Sequence, residues 1–243
     1  MTGRAGAAAA SLCVYAIVGR RFGRRVAMGG IRAGGVRLRA VNAAATSAMV
    51  AERTGTLLPT VPALRAHDAV VRRTARIAPA VLPVRFGTLV ASERSLVALL
   101  DEWSDELLAA LALVDGRCQM TLRLFAPAGV VPLQEERGAP DRATVEGNLS
   151  GTSYLEGRAR AHARAQSAPE LEPLREALAS IVAAERITRH DQGPLLLTAY
   201  HLIPRGAAPA YRKLLRRHAA RLHARATVSG PWPPYAFVPE LRR

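Results

Sequence analysis

The residues able to do chemistry in this chain are few, and their spacing does not favour it. His67 precedes Asp68, but no nucleophile or third polar group is tied to that pair by a recognisable motif. A lone histidine on an apolar helix face is far more often a core-edge residue than a ligand. His218 and His223 are five positions apart, about 140° round a helix, so they cannot share a metal ion. Cys13 and Cys118 sit in apolar, strand-like runs with no CxxC spacing and no neighbouring histidine, so they frame neither a zinc site nor a disulfide scaffold. Asp101, Glu102, Asp105 and Glu106 are close enough for acid–base work, yet the apolar stripe of the same helix leaves them mostly on its solvated side. Between Gly19 and Arg39 stand seven arginines (Arg20, Arg21, Arg24, Arg25, Arg32, Arg37 and Arg39), several glycines and no acid. That run holds neither a P-loop nor a dinucleotide fingerprint and reads as a mobile basic loop able to grip an acidic partner without specificity. No catalytic residue, metal or cofactor is expected, and the chain is read as a binding or assembly protein rather than an enzyme.

What the elements position is therefore a surface. With 243 residues and 49% hydrophobic content, the chain can bury a real core in one large domain or two ordinary ones. Basic residues outnumber acidic ones 34 to 19, which attracts acidic proteins, nucleic acid or anionic membrane. All the basic residues but Lys213 are arginine, a bias that fits a solvated surface equally well. No apolar run reaches the roughly 18–20 residues needed to span a bilayer. The stretch after Arg4 reads as a loose N-terminal extension rather than a leader, and a reducing, cytoplasmic setting is expected.

Taken in order, Cys13–Val18 is a β-branched strand and a second strand falls within 36–50. Pro59 and Pro62 open a helix over 63–78, with Leu64, His67, Val71, Thr74 and Ala78 on one face. Ser92 caps the next helix, whose stripe is Leu96, Leu99, Trp103, Leu107, Leu111 and Val114. Cys118–Phe125 alternates as a strand should. The order β, β, α, β, α, β predicts a ferredoxin-like N-terminal domain over 1–128, with 1–12 as extension and helices on one face of its sheet. Residues 129–150 read as a linker, and 151–243 as a smaller α+β domain with a Pro/aromatic tail over 229–243. That second domain holds a long helix to about Ala184, a strand over Leu195–Ile203 and a helix over 208–224. Both units belong to the α+β class.

The tail is the most informative stretch. Ser229-Gly230-Pro231-Trp232-Pro233-Pro234-Tyr235-Ala236-Phe237-Val238 carries three prolines, so it is stiff, extended or turning, and excluded from helix and central strand. It also gathers one of the two tryptophans with a tyrosine and a phenylalanine. Such rings either anchor the segment to a core or offer a docking surface.

This run resembles the C-terminal signature of the GvpL/GvpF family of gas vesicle proteins. Four further stretches are similar to that family in the same order: the strand at Cys13, Leu82-Pro83-Val84-Arg85-Phe86-Gly87, the helix start Tyr154-Leu155-Glu156-Gly157-Arg158, and Leu195–Ile203. Gln119 stands where the family usually has glutamate. The resemblance implies a non-catalytic accessory protein of gas vesicles, a minor component or assembly factor in the cytoplasm that binds the small hydrophobic shell protein and other accessory proteins. It singles out Trp232, Pro233, Pro234, Tyr235, Phe237, Arg85 and Arg158 as partner contacts or structural anchors. The alternative from another class is a basic ferredoxin-like nucleic-acid binder, but no RNP-like strand is present and nucleic acid is not the expected partner.

Overall fold

The computed structural model describes residues 11–55, 57–127, 168–190 and 192–239. The chain forms two compact units, Met1–Gln119 with Pro231–Arg243 and Met120–Gly230. Residues 1–10 of the expected extension, the 129–150 linker and Arg158 with its helix start lie outside the described residues.

The first unit is built on β1 (Ser11–Gly19), whose residues from Leu12 to Val18 are all buried. Burial on both sides of a strand requires both faces of its sheet to be covered. Antiparallel β5 (Thr46–Arg53) lies on one edge of β1, with β4 (Arg39–Asn42) outside it. The short strands β6 (Leu82–Pro83) and β7 (Leu89–Val90) pair with the other edge. Pro83 thus sits where a missing ladder donor does no harm. A register shift between Val14 and Ala16 makes Tyr15 a bulge residue, which re-aims its ring.

Helix α1 (Arg20–Met28) and α2 (Val61–Ile77) cover one face, contributing Val26, Val70 and Val71 to a cluster with Cys13, Tyr15 and Met49. Helices α3 (Glu93–Glu102) and α4 (Ser104–Val114) pack on the same strands, yet none of their buried leucines joins that cluster. They cover the opposite face. The single helix expected after Ser92 is interrupted at Trp103, and its exposed carboxylates include Asp101, which accepts the Ala44 amide at 2.9 Å. Thr60 and Ser92 cap α2 and α3 through their side-chain oxygens.

The Arg20–Arg39 segment corrects the sequence reading most sharply. It is not a loop but α1 followed by the hairpin β2 (Arg32–Ala33) and β3 (Val36–Arg37), whose turn places Gly34 and Gly35 at φ 57° and 85°. Arg20, Arg21, Arg24 and Arg25 share the outer side of α1, while Gly23 and Val26 are buried, as are Ile31, Ala33 and Leu38 beyond it. Arginine density hid an amphipathic helix with a narrow apolar edge. A Gly-Ser bridge in place of 20–39 would therefore remove part of the core.

The second unit runs β8 (Arg117–Phe125), α5 (Glu172–Leu178), β9 (Ala184–Arg189), β10 (Leu195–Pro204), α6 (Ala208–His218) and β11 (Arg225–Trp232). Its sheet has the order β11-β8-β10-β9, with β9 and β10 antiparallel from Leu197↔Arg189 to Leu202↔Ala184. Among the described residues this unit has the succession β-α-β-β-α-β, whereas α1 stands between the first two long strands of the N-terminal unit, which the expected order β, β, α, β, α, β did not include. Strands β9 and β11 were not expected and begin where the helices read to about Ala184 and to 224 end.

Gly23 lets α1 approach β5 closely: a Cβ there would stand 2.4 Å from Ser47 Oγ and 2.7 Å from Ser47 Cβ. Helix propensity alone makes glycine to alanine favourable by roughly 0.5–1 kcal/mol. At Gly23→Ala we expect the opposite sign, a loss of about 1–3 kcal/mol from overpacking, read as a lower midpoint in thermal or urea unfolding. A stabilised variant would contradict this packing.

Candidate functional surface

The tail closes on the first unit, not on the second as its sequence position implied. Strand β11 runs along the edge of its sheet, Gly230 takes φ 115°, and Pro231 to Pro234 lead into a single 3-10 turn at Tyr235–Phe237. Pro233, Pro234 and Phe237 are buried, Phe237 to 2% exposure, and the turn packs on β6. The Ala236 amide donates to Gln119 Oε1 at 2.8 Å. A glutamate there would accept equally well, so the position serves as an acceptor whether or not it is charged.

The outer rim of the tail is held by α2. The Tyr235 hydroxyl donates to Asp68 Oδ1 at 2.8 Å, and Arg72 Nε donates to Asp68 Oδ2 at 2.5 Å. Arg72 lies over the Trp232 ring with its guanidinium carbon 4.4 Å from the centroid. Burial, the hydrogen bond to Asp68 and the carboxylate's charge push the Tyr235 hydroxyl well above the ordinary tyrosine range, so it stays a donor at neutral pH. The anchor is thus Phe237, whereas Trp232 is half-buried under Arg72.

Positions 61, 64, 68 and 72 lie along one side of α2. Leu58 and Val61 are 67% and 59% exposed, and Leu64 and Tyr235 are exposed too. The first turn of the helix therefore exposes Val61 and Leu64, with Leu58 just before it, on the side that Asp68 and Tyr235 continue. Scattered exposed hydrophobics need no explanation, but a contiguous group marks an interaction site. Sequence reasoning missed Leu58 and Val61 and placed Leu64 in the core; the Leu57-Leu58-Pro59 run before a helix cap was the available signal.

Arg85 occupies the exposed turn between β6 and β7, where its carbonyl accepts from the Thr88 amide and hydroxyl. It makes no ion pair among the described residues. Arg20, Arg21, Arg24 and Arg25 are exposed on α1, and Arg20 Nη1 donates to the Ala43 carbonyl at 2.7 Å.

The groups with chemical potential are locked into structural work. His67 stacks on Tyr15 at 4.9 Å and meets Phe86 edge-on, and its Nε2–H donates to the Val84 carbonyl at 2.9 Å. Burial lowers its pKa, with the Val84 hydrogen bond and the Asp68 charge opposing. Burial pushes the Cys13 thiol up, the reverse of what a nucleophile needs. In the second unit His201 is buried between Tyr211 on α6 and Glu185 on β9. The carboxylate only accepts, so Nε2–H donates to Glu185 at 2.8 Å, and in the neutral ring Nδ1 accepts the Tyr211 hydroxyl. The His201 hydrogen bond, with the Arg175 charge beside it, holds Glu185 below the usual carboxylate range against the cost of burial. This chain knits β9, β10 and α6, and no sequence spacing announced it. Among the described residues no three His, Cys, Asp or Glu side chains are grouped to hold a metal, and no helix is long and apolar enough to cross a membrane.

The family described as "Gas vesicle synthesis protein GvpL/GvpF" matches residues 11–239. The chain is 29% identical over 190 residues to "Gas vesicle protein L" of Streptomyces sp. (strain CB03234), covering 72% of this chain and 68% of that protein. It is similar to the crystal structure of the gas vesicle protein GvpF from Anabaena sp. PCC7120, with a TM-score of 0.69, 15% identity and coverage of 96% of this chain and 98% of that one. GvpF from Microcystis aeruginosa gives a TM-score of 0.64 at 16% identity, covering 94% and 99%. At these identities the structures show a shared mixed α+β fold.

The rings of the tail separate by burial. Phe237→Ala is expected to cost about 3–5 kcal/mol, and Trp232→Ala about 1–2 kcal/mol because that ring is only partly buried. Urea unfolding of the two variants checks the order; a larger loss at Trp232 would contradict it.

Proposed function

The chain belongs to the GvpL/GvpF family of gas vesicle proteins, and from that premise we propose that it is a non-catalytic assembly factor or minor component that binds the gas vesicle shell protein and other accessory proteins. In this reading the apolar stripe of α2, completed by the tail, is the docking face. Tyr235, Trp232, Pro233, Pro234 and Phe237 hold it in shape, and Arg85 flanks it as a polar contact. The observation that carries the reading is Leu58 and Val61 standing more than half exposed beside a tail whose own rings are pinned down. An apolar shell subunit needs an apolar acceptor that is rigid before binding, since preorganisation lowers the ordering cost.

We read the second unit as the ferredoxin-like body, on its β-α-β-β-α-β succession. The site of action in this reading is the vesicle and the surrounding cytoplasm. Nucleic-acid binding has less support: Tyr235 is the one exposed aromatic ring among the described residues, and base stacking needs a platform of such rings.

The test is co-purification with the shell protein. Leu58→Glu with Val61→Glu should abolish capture and vesicle formation in a deletion host while changing folding stability by only about 0.5 kcal/mol, as expected for exposed positions. Full capture by that variant would overturn the assignment of this face.

A further inference from the structure

We propose that the groove between α1 and the β3–β4 segment is a second docking site, one that takes an acidic amphipathic protein segment. The groove has a volume of about 390 Å³ and is lined by Arg24, Ala27, Met28, Arg37, Leu38 and Arg39. Three guanidinium groups therefore surround an apolar floor. Met28 is 68% exposed, more than any other large hydrophobic side chain among the described residues. A methionine adapts its shape to a partner at little cost.

Two of the three groove arginines, Arg24 and Arg37, have no carboxylate partner among the described residues. Of the seven arginines from Arg20 to Arg39, Arg39 alone has a carboxylate partner among the described residues, with Glu93 at 2.5 Å and Glu52 at 3.6 Å. Elsewhere Arg72 pairs with Asp68, Arg175 with Glu172 and Glu185, and Arg189 with Glu170. Arg32 and Arg37 also face each other across the β2–β3 hairpin. Like charges directly opposite on a ladder are destabilising. An anion above the hairpin relieves that repulsion, and a carboxylate matches a guanidinium fork in two hydrogen bonds.

The apolar half of the groove selects the class of partner. A nucleic-acid backbone rewards the arginines alone and leaves Ala27, Met28 and Leu38 uncovered. The one ring on α1, Phe22, is only partly exposed and already covered by Arg21 at 4.8 Å, so it offers no base platform. A lipid surface needs a broad protruding apolar face, whereas Leu38 is recessed and buried. Glutamates or aspartates flanking leucine or phenylalanine on one face of a short helix meet both halves at once. This surface is separate from the stripe of α2, and its partner need not be the one that the stripe binds.

The test uses the full chain and a short fluorescein-labelled peptide with glutamates and leucines at helical spacing, followed by anisotropy at physiological salt. Saturable binding is expected, weakened roughly tenfold or more by Arg24→Glu with Arg37→Glu, and several-fold by Met28→Ser. Arg24→Gln with Arg37→Gln repeats the test without reversing charge, and circular dichroism checks that each variant is folded. The Leu58→Glu, Val61→Glu variant should bind the peptide as the unaltered chain does. Oligoglutamate and oligothymidylate should bind more weakly and ignore Met28→Ser. Absence of peptide binding, equal binding of either plain polyanion, or insensitivity to Met28→Ser would each overturn the proposal.

Discussion

Asp68 serves two partners that lie far apart in the chain. Its carboxylate accepts from Arg72 one helical turn away and from the Tyr235 hydroxyl 167 positions on, while Arg72 is laid over Trp232. A charged acceptor with both donors in place makes stronger bonds than a neutral one. Around that point the tail acquires a fixed course: prolines limit the conformations it gives up, Phe237 fills the core and Gln119 takes the Ala236 amide. The exposed side of α2 is thereby a rigid surface rather than a helix with a loose strap beside it.

The same economy shapes the rest of the first unit. A strand buried on both faces needs a helical layer on each side, and only a helix with almost no side chain at its contact can lie close to β5. Gly23 supplies that contact, with Ser47 Oγ turned to donate to Asn42 at 2.7 Å. The arginines of α1 are then forced outward together, which concentrates positive charge on one ridge. Packing on the inside thus sets the electrostatics of the outside.

Much of this was legible in the residues. Alternation in Cys118–Phe125, the Thr60 and Ser92 caps and the proline-fixed tail each state a local rule strongly enough to survive tertiary context. The C-terminal run was specific enough to carry the family. What escaped was of another kind. Arg20–Arg39 looked like a loop because seven arginines outweighed the few buried apolar residues among them. Strands β9 and β11 were invisible because edge strands with polar residues on both faces lose the period-2 signal. The Asp68–Tyr235 and Glu185–His201–Tyr211 contacts join distant positions, and no local pattern encodes them. For the same reason the tail was assigned to the unit that precedes it in sequence.

Hydrogen exchange on the full chain and on a chain ending at Gly230 tests most directly whether the tail belongs to the first unit and stiffens α2. Removal of the tail should raise exchange in Val61–Ile77 and around Leu82–Pro83, while β9 and β10 keep their protection. Unchanged exchange in α2, or a loss confined to β9 and β10, would contradict that placement.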